Sequence, residues 1–398
     1  MTKSLTKLWL GGVKRMLHMP NSRTSKSALK AAQKMATDWP FAEPIAAAAV
    51  AAPAEPAPPV ARESRVRPRA AAWAGGEWIR ADHPLPPAFG RFVKHLEYGL
   101  YVPSGADTEG LPLVVMLHGC KQDMDQFAQG TRMNLLADRY GFAVLYPEQS
   151  LNAHAHGCWH WYDDTAHGGR GEAQAVVALV DALVAERGFD ASRVYAAGMS
   201  AGAGLVSLLS LHFPQHFAAV ALHSGPAFGD AHSGITAMDV MRRGLHRTPA
   251  VVVDALVEPG SYPGMPALIV HGDDDRVVAP KNADELAVQF LRLNGLADTE
   301  GELTGAKRFE ARAADVQTVD YRCDGESVVR LCRVHGLAHA WSGGDDSVPF
   351  HSATGPDASE LIWRFLRRVR GRLSRRNDAR VENGWLQFRV FPIMRVNT

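Results

Sequence analysis

The chain has 398 residues, 46% hydrophobic and 21% charged, with a formal net charge of +1. That is the make-up of an ordinary globular protein, with no bulk field to gather nucleic acid. No window holds the roughly 18 consecutive apolar residues that a membrane-spanning helix needs, and Cys120, Cys158, Cys323 and Cys332 are too widely spread for a Cys-x-x-Cys zinc site.

Residues 1–42 begin with Lys3, Lys7, Lys14 and Arg15 among Leu5, Leu8, Trp9, Leu10 and Val13, close to a basic amphipathic helix that Gly11-Gly12 weakens. No apolar core of a Sec signal peptide is visible. A loosely ordered extension is the expected state, and peripheral contact with a membrane or polymer granule is the competing reading. Residues 43–72 are dominated by Ala and Pro and read as an extended linker. The folded domain is expected over 73–369 and a solvated basic tail over 370–398, where the arginines lack aromatic interleaving.

Within the domain, 92–102 has strand character and 111–117 is an apolar run suited to a strand buried on both faces. The spacing predicts a helix over 124–140, a strand over 142–146, a helix over 173–187 and a strand over 194–197. A helix from about 203 to 211 follows, then strands over 218–222 and 267–270 and a helix over 283–293. A hairpin around Asp324-Gly325 joins 317–322 to 327–334, and a helix over 361–369 closes the domain. Strands alternating with helices imply a doubly wound, mostly parallel α/β sheet.

The chemistry gathers around Gly198-Met199-Ser200-Ala201-Gly202, a G-x-S-x-G elbow between a strand and a helix. Small flanking residues let a strained turn lift the Ser200 hydroxyl clear of the sheet, where it can act as a nucleophile. In the α/β-hydrolase arrangement an acid and then a histidine follow the serine along the chain. After the strand ending at Val270 come Asp273, Asp274 and Asp275. Asp275 is the candidate acid, because it leaves room for the loop to turn, whereas Asp273 and Asp274 suit turn or surface positions. His339 is the candidate base, lying in a loop of small residues, whereas His335 at a strand end suits a buried, satisfied histidine. The backbone N–H groups of Ala201 and Cys120 are the expected oxyanion donors, with His118 holding the loop. Trp159, Trp161 and Trp341 flank these motifs, and an acyl-pocket wall and ordinary core packing are both open to them. His154, His156, His160 and His167 share one loop, but their spacing matches no standard metal site.

Leu-His-Gly-Cys-x-Gln (117–122), Cys-Trp-x-Trp (158–161), Gly-Met-Ser-Ala-Gly (198–202), His-Gly-x-x-Asp-x-x-Val-x-Pro-x-Asn (271–282) and Gly-x-x-His-Ala-Trp (336–341) stand in this order. The set resembles the polyhydroxybutyrate depolymerase family of esterases, relatives of feruloyl and acetylxylan esterases. The resemblance spans roughly 91–369. It implies an α/β-hydrolase fold and a serine esterase without metal or cofactor. Ser200, Asp275 and His339 would form its triad, and Cys120 and Ala201 would supply its oxyanion donors. It also implies a Cys120–Cys158 disulfide and an extracytoplasmic location. A Cys323–Cys332 disulfide is not expected, since the hairpin register sets the two out of reach. The family's additional polymer-binding domain is not expected in the residues after 369, a departure from its pattern for solid polymer. The leading substrate class is poly- or oligo(3-hydroxyalkanoate) or similar short-chain esters. Alternatives are a feruloyl or acetylxylan esterase, a serine peptidase of similar fold, and a catalytically dead binding protein.

Overall fold

The computed structural model describes residues 74–85, 94–165, 168–258 and 260–370. The expected extension (1–42) and linker (43–72), and the basic tail past Arg370, lie outside these residues. Strands β1 (Glu77–Pro84) and β2 (His95–Val102) form an antiparallel pair at one edge of a ten-stranded sheet. The five apolar residues of β3 (Leu113–Leu117) then enter its centre, all buried. Leu113, Val115 and Leu117 face one hydrophobic core while Val114 and Met116 face the other. A strand covered on both faces has no solvent side, so its sequence runs apolar without alternation.

Two helices, α1 (Met124–Thr131) and α2 (Met133–Tyr140), replace the single helix expected over 124–140. Arg132 between them has a left-handed backbone, φ 56°. The break sits where a later segment takes the chain's carbonyls: Asp345 N–H donates to Gly130 O, and the Ser359 hydroxyl to Thr131 O. Continuing the helix would cost those tertiary bonds.

Strand β4 (Ala143–Glu148), α3 (Gly169–Arg187), β5 (Val194–Met199), α4 (Ala201–His212) and β6 (Ala219–His223) follow. Helices α5 (Gly234–Arg243) and α6 (Pro249–Leu256) precede β7 (Ala267–Gly272) and α7 (Lys281–Leu293). The chain then lays down β8 (Lys307–Ala313), β9 (Val316–Cys323) and β10 (Glu326–Val334), a two-stranded patch of β11 (Trp341–Ser342) and β12 (His351–Ser352), and α8 (Ala358–Leu366). The sheet order is β1-β2-β4-β3-β5-β6-β7-β10-β9-β8. Strands from β4 through β10 are parallel and both edges antiparallel. The hairpin turns on Asp324 (φ 51°) and Gly325 (φ 85°), both left-handed as a type I′ turn requires. Cys323 pairs with Glu326 and Cys332 with Thr318, so the two cysteines stay apart and free.

Residues of α3, α4 and α7 fill the core on one face, and residues of α1, α2 and α8 fill the other. Strand order reverses at β3, flanked by β4 on one side and β5 on the other. Loops leaving the carboxyl ends of strands diverge at such a point and open a crevice.

Candidate active site

Ser200 follows β5 directly and caps α4 with φ 55° and ψ −120°, a conformation that costs a non-glycine residue about 1–3 kcal/mol. The strand and helix on either side hold it there, and its N–H donates to His223 O at 3.0 Å. Close packing explains the glycine at 202. A Cβ there would meet the carbonyl oxygens of Leu117 and His118, the latter at 2.6 Å, so only glycine lets α4 start against β3.

The loop after β3 runs beside the serine: a Cβ placed on Gly119 would lie 3.3 Å from that of Ser200. His118 holds this loop from below. Its ring Nδ1 bonds Gly119 O at 2.8 Å, its Nε2 accepts from Gln149 N–H, and its carbonyl accepts from the Trp159 indole. Cys120 and Cys158 are joined in a disulfide, and the adjacent Lys121 N–H donates to His156 O at 2.7 Å. Among the described residues neither Cys120 N–H nor Ala201 N–H has an intramolecular acceptor. Ala201 opens α4, whose N-terminal dipole favours negative charge at this point.

The structure brings Ser200, His339 and Asp275 into one hydrogen-bonded line. His339 Nε2 lies 3.0 Å from Ser200 Oγ, and Nδ1 lies 2.7 Å from Asp275 Oδ2. The Asp275 side chain is fully buried, while Ser200 and His339 each keep a small exposed fraction, so solvent meets the line at its serine–histidine end and not at the acid. Burial acts to raise the Asp275 carboxyl. The His339 hydrogen bond, the neighbouring imidazoles of His339 and His271, and the Val278 N–H outweigh it and hold the carboxyl below its ordinary value. Oδ1 accepts from both Val277 and Val278 N–H at 2.9 Å. A carboxylate bound at both oxygens fixes the imidazole tautomer, with the proton on Nδ1 and a bare Nε2 toward the serine.

His335 departs from its expected burial. The chain leaves β10 at Val334, and the turn at Gly336 throws the His335 side chain out, 82% exposed, onto Asp273 at 2.8 Å. Asp273 and Asp274 lie at the surface, the latter on Arg276. All three tryptophans lie in the interior. Trp159 is packed over His118, Trp161 fills the space beside Gly204 of α4, and Trp341 is fully buried, stacked on His223. Their side chains are committed to holding the loops, which leaves the pocket reading without an exposed aromatic surface. In the histidine-rich loop, His160 bonds Glu172, and His154 Nδ1 accepts from His156 and Cys158 N–H; His167 lies outside the described residues. The described side chains close enough to share an ion are Asp82, His95 and Glu97, exposed on β1 and β2.

The buried His223 and His271 have no role in the sequence reading. His223 at the end of β6 takes Ser342 N–H on Nε2 at 3.2 Å and meets Ser224 Oγ on Nδ1, tying the strand that anchors Ser200 to the loop past His339. Burial holds its imidazole well below the usual histidine range, so it stays neutral. His271, in β7, lies against Asp275. A histidine in an otherwise apolar central strand was the available signal for both.

A poly(3-hydroxyalkanoate) depolymerase C of Paucimonas lemoignei is 33% identical over 218 residues, 53% of this chain and 51% of the relative, so the chain matches about half the depolymerase's length. A feruloyl esterase B of Thermothelomyces thermophilus is 31% identical over 229 residues, 54% of this chain and 76% of that protein. The solved acetyl xylan esterase from Aspergillus awamori superposes with a TM-score of 0.55 at 20% identity, over 73% of this chain and 99% of that one, which shows the α/β-hydrolase fold. The family model described as Esterase PHB depolymerase matches residues 96–318, more than half the chain and including Ser200 and Asp275, and the chain belongs to that esterase family.

Proposed function

We propose that the domain over 73–369 hydrolyses carboxylic esters of short hydroxy acids, with Ser200 as nucleophile, His339 as general base and acid, and Asp275 as its orienting acid. The observation that carries this reading is the unbroken line from Ser200 Oγ through the His339 ring to a buried, doubly anchored carboxylate. Ser200 Oγ attacks the ester carbonyl carbon as His339 Nε2 takes its proton. Negative charge collects on the carbonyl oxygen, which the N–H groups of Cys120 and Ala201 receive. The carbon–oxygen ester bond then breaks, and His339 returns the proton to the departing alcohol. Water repeats the sequence on the acyl-serine, releasing the acid and restoring the serine. No step calls on a metal or cofactor.

Hydroxyalkanoate oligomers are the favoured substrates because the family model matched over 96–318 is that of the depolymerase esterases and a depolymerase stands among the relatives. The feruloyl esterase, matched over more of its own length, keeps aryl esters as the second reading. The disulfide, whose Cys120 is also an oxyanion donor, supports an oxidising, extracytoplasmic setting. The test is hydrolysis of p-nitrophenyl acetate to octanoate, 3-hydroxybutyrate oligomers and methyl ferulate by wild type and Ser200→Ala. Wild-type turnover that falls by several orders of magnitude in the variant is expected. A folded wild type inert on all of these would sink the esterase reading, and preference for ferulate would replace the substrate class.

A further inference from the structure

His271 is 1% exposed, and its ring has only one way to be satisfied. Nε2 lies 2.9 Å from Val278 O and 3.5 Å from Asp275 Oδ2. Both neighbours are acceptors, so Nε2 must carry the hydrogen. Nδ1 is then a bare acceptor, buried and without a partner among the described residues. A leucine would fill this interior with no unpaired polar atom of its own, and burying an unpaired acceptor costs stability. The surroundings suggest what that cost sustains.

The turn from Asp275 to Val278 is held from two directions. Val277 and Val278 turn their N–H groups inward onto Asp275 Oδ1, while the carbonyl of Val278 accepts from His271. His271 thus holds Val278 by its carbonyl, the residue whose own N–H holds the carboxylate, and its Nε2 also lies close to the Asp275 oxygen that His339 uses. Burial holds the imidazole below the usual histidine range, so it donates as a neutral ring and adds no charge to compete with His339 for Asp275. Leu337, just ahead of His339, also packs on this strand end. Its carbonyl accepts from Asp274 N–H at 3.2 Å, and a Cβ on Gly272 would strike it.

We propose that His271 is a positioning residue for the reaction, clamping the 275–278 turn so that Asp275 holds His339 in line with Ser200. This rests on the serine-esterase reading above. The test compares wild type with His271→Leu, which fills the space without the donor, and His271→Gln, whose amide N–H reaches the place of Nε2. In His271→Leu, kcat on p-nitrophenyl butyrate should fall about 10- to 100-fold, the scale of small misalignments at a reacting centre. KM should stay within about twofold and the melting temperature should change little, since the orphaned Nδ1 is gone while the Val278 carbonyl loses its donor. His271→Gln should recover most of kcat. A readout independent of turnover is the most downfield proton resonance, that of His339 Nδ1–H on Asp275: it should weaken or shift in His271→Leu and return in His271→Gln. Wild-type kcat in His271→Leu, or an unchanged downfield resonance, would overturn the proposal. So would a variant that loses folding and activity together without rescue by Gln, since that is the mark of a merely structural residue. Should wild type hydrolyse no ester, the esterase reading fails by itself, and the resonance still decides on His271.

Discussion

Replacing Asp275 with asparagine isolates what the carboxylate does, because the side chain keeps its shape and loses one acceptor. The two N–H donors of Val277 and Val278 converge on Oδ1. They will hold the amide oxygen there, since flipping it would leave two buried donors facing an NH2 group, at about 1–3 kcal/mol each. The amide nitrogen must therefore face His339 Nδ1, where Oδ2 now accepts at 2.7 Å. Two donors cannot share that contact, so the ring moves its proton to Nε2 and presents a donor to Ser200 instead of a base. A wrong tautomer with intact geometry costs a serine hydrolase about 10⁴ in kcat, roughly 5 kcal/mol of barrier. The assay is steady-state hydrolysis of p-nitrophenyl butyrate by wild type, Asp275→Asn, Asp273→Asn and Asp274→Asn, with thermal unfolding to verify the fold. Asp273 and Asp274 serve His335 and Arg276 at the surface, so their variants should stay within about twofold of wild type in kcat. An Asp275→Asn enzyme retaining more than about a tenth of wild-type kcat, or an Asp273→Asn enzyme falling as far, would refute the reasoning.

Two further outcomes follow from the same geometry. His351 packs against Gly130 and Phe127, and burial pushes its imidazole down to about 4. The unfolded chain binds that proton near 6.5 and the folded chain resists it, so stability should fall as pH drops from about 6.5 toward 4 and level off below. The loss worked from the shift is about 3 kcal/mol. Urea unfolding at pH 7 and pH 4 should show this decrement in wild type and a much smaller one in His351→Asn; equal decrements would count against it. Breaking the Cys120–Cys158 bond with Cys158→Ser frees a crosslink of sequence separation 38, about 4 kcal/mol on the chain-entropy account. Since the N–H of Cys120 is an expected oxyanion donor, kcat should drop more than KM rises, by roughly tenfold, short of the 10²–10³ for losing a donor outright. An unchanged kcat would mean that His118 alone holds the loop.

The residues of the candidate site were legible because local chemistry names them. A serine between glycines after an apolar strand has few other uses, and the order serine, aspartate, histidine narrows the partners. The central strands were legible too, since strands buried on both faces must run apolar. What stayed hidden depends on contacts distant in sequence. Nothing local to Glu77–Pro84 or Lys307–Ala313 marks a strand: β1 alternates at the surface and every residue of β8 is exposed, so partner strands hold them. The break at Arg132 follows from bonds to Asp345 and Ser359, more than two hundred residues on. His335 and His339 differ by four positions, and only the turn at Gly336 sends one to solvent and the other to Asp275. The burial of Trp341 and the clamp at His271 likewise exist only once β6, β7 and the loop past β10 are packed together. By itself the sequence determined which side chains can do the chemistry, through residue type and backbone permission at single positions. The tertiary structure decided which of them meet, because hydrogen-bond distance and burial are properties of chain segments brought together, and no window of sequence contains them.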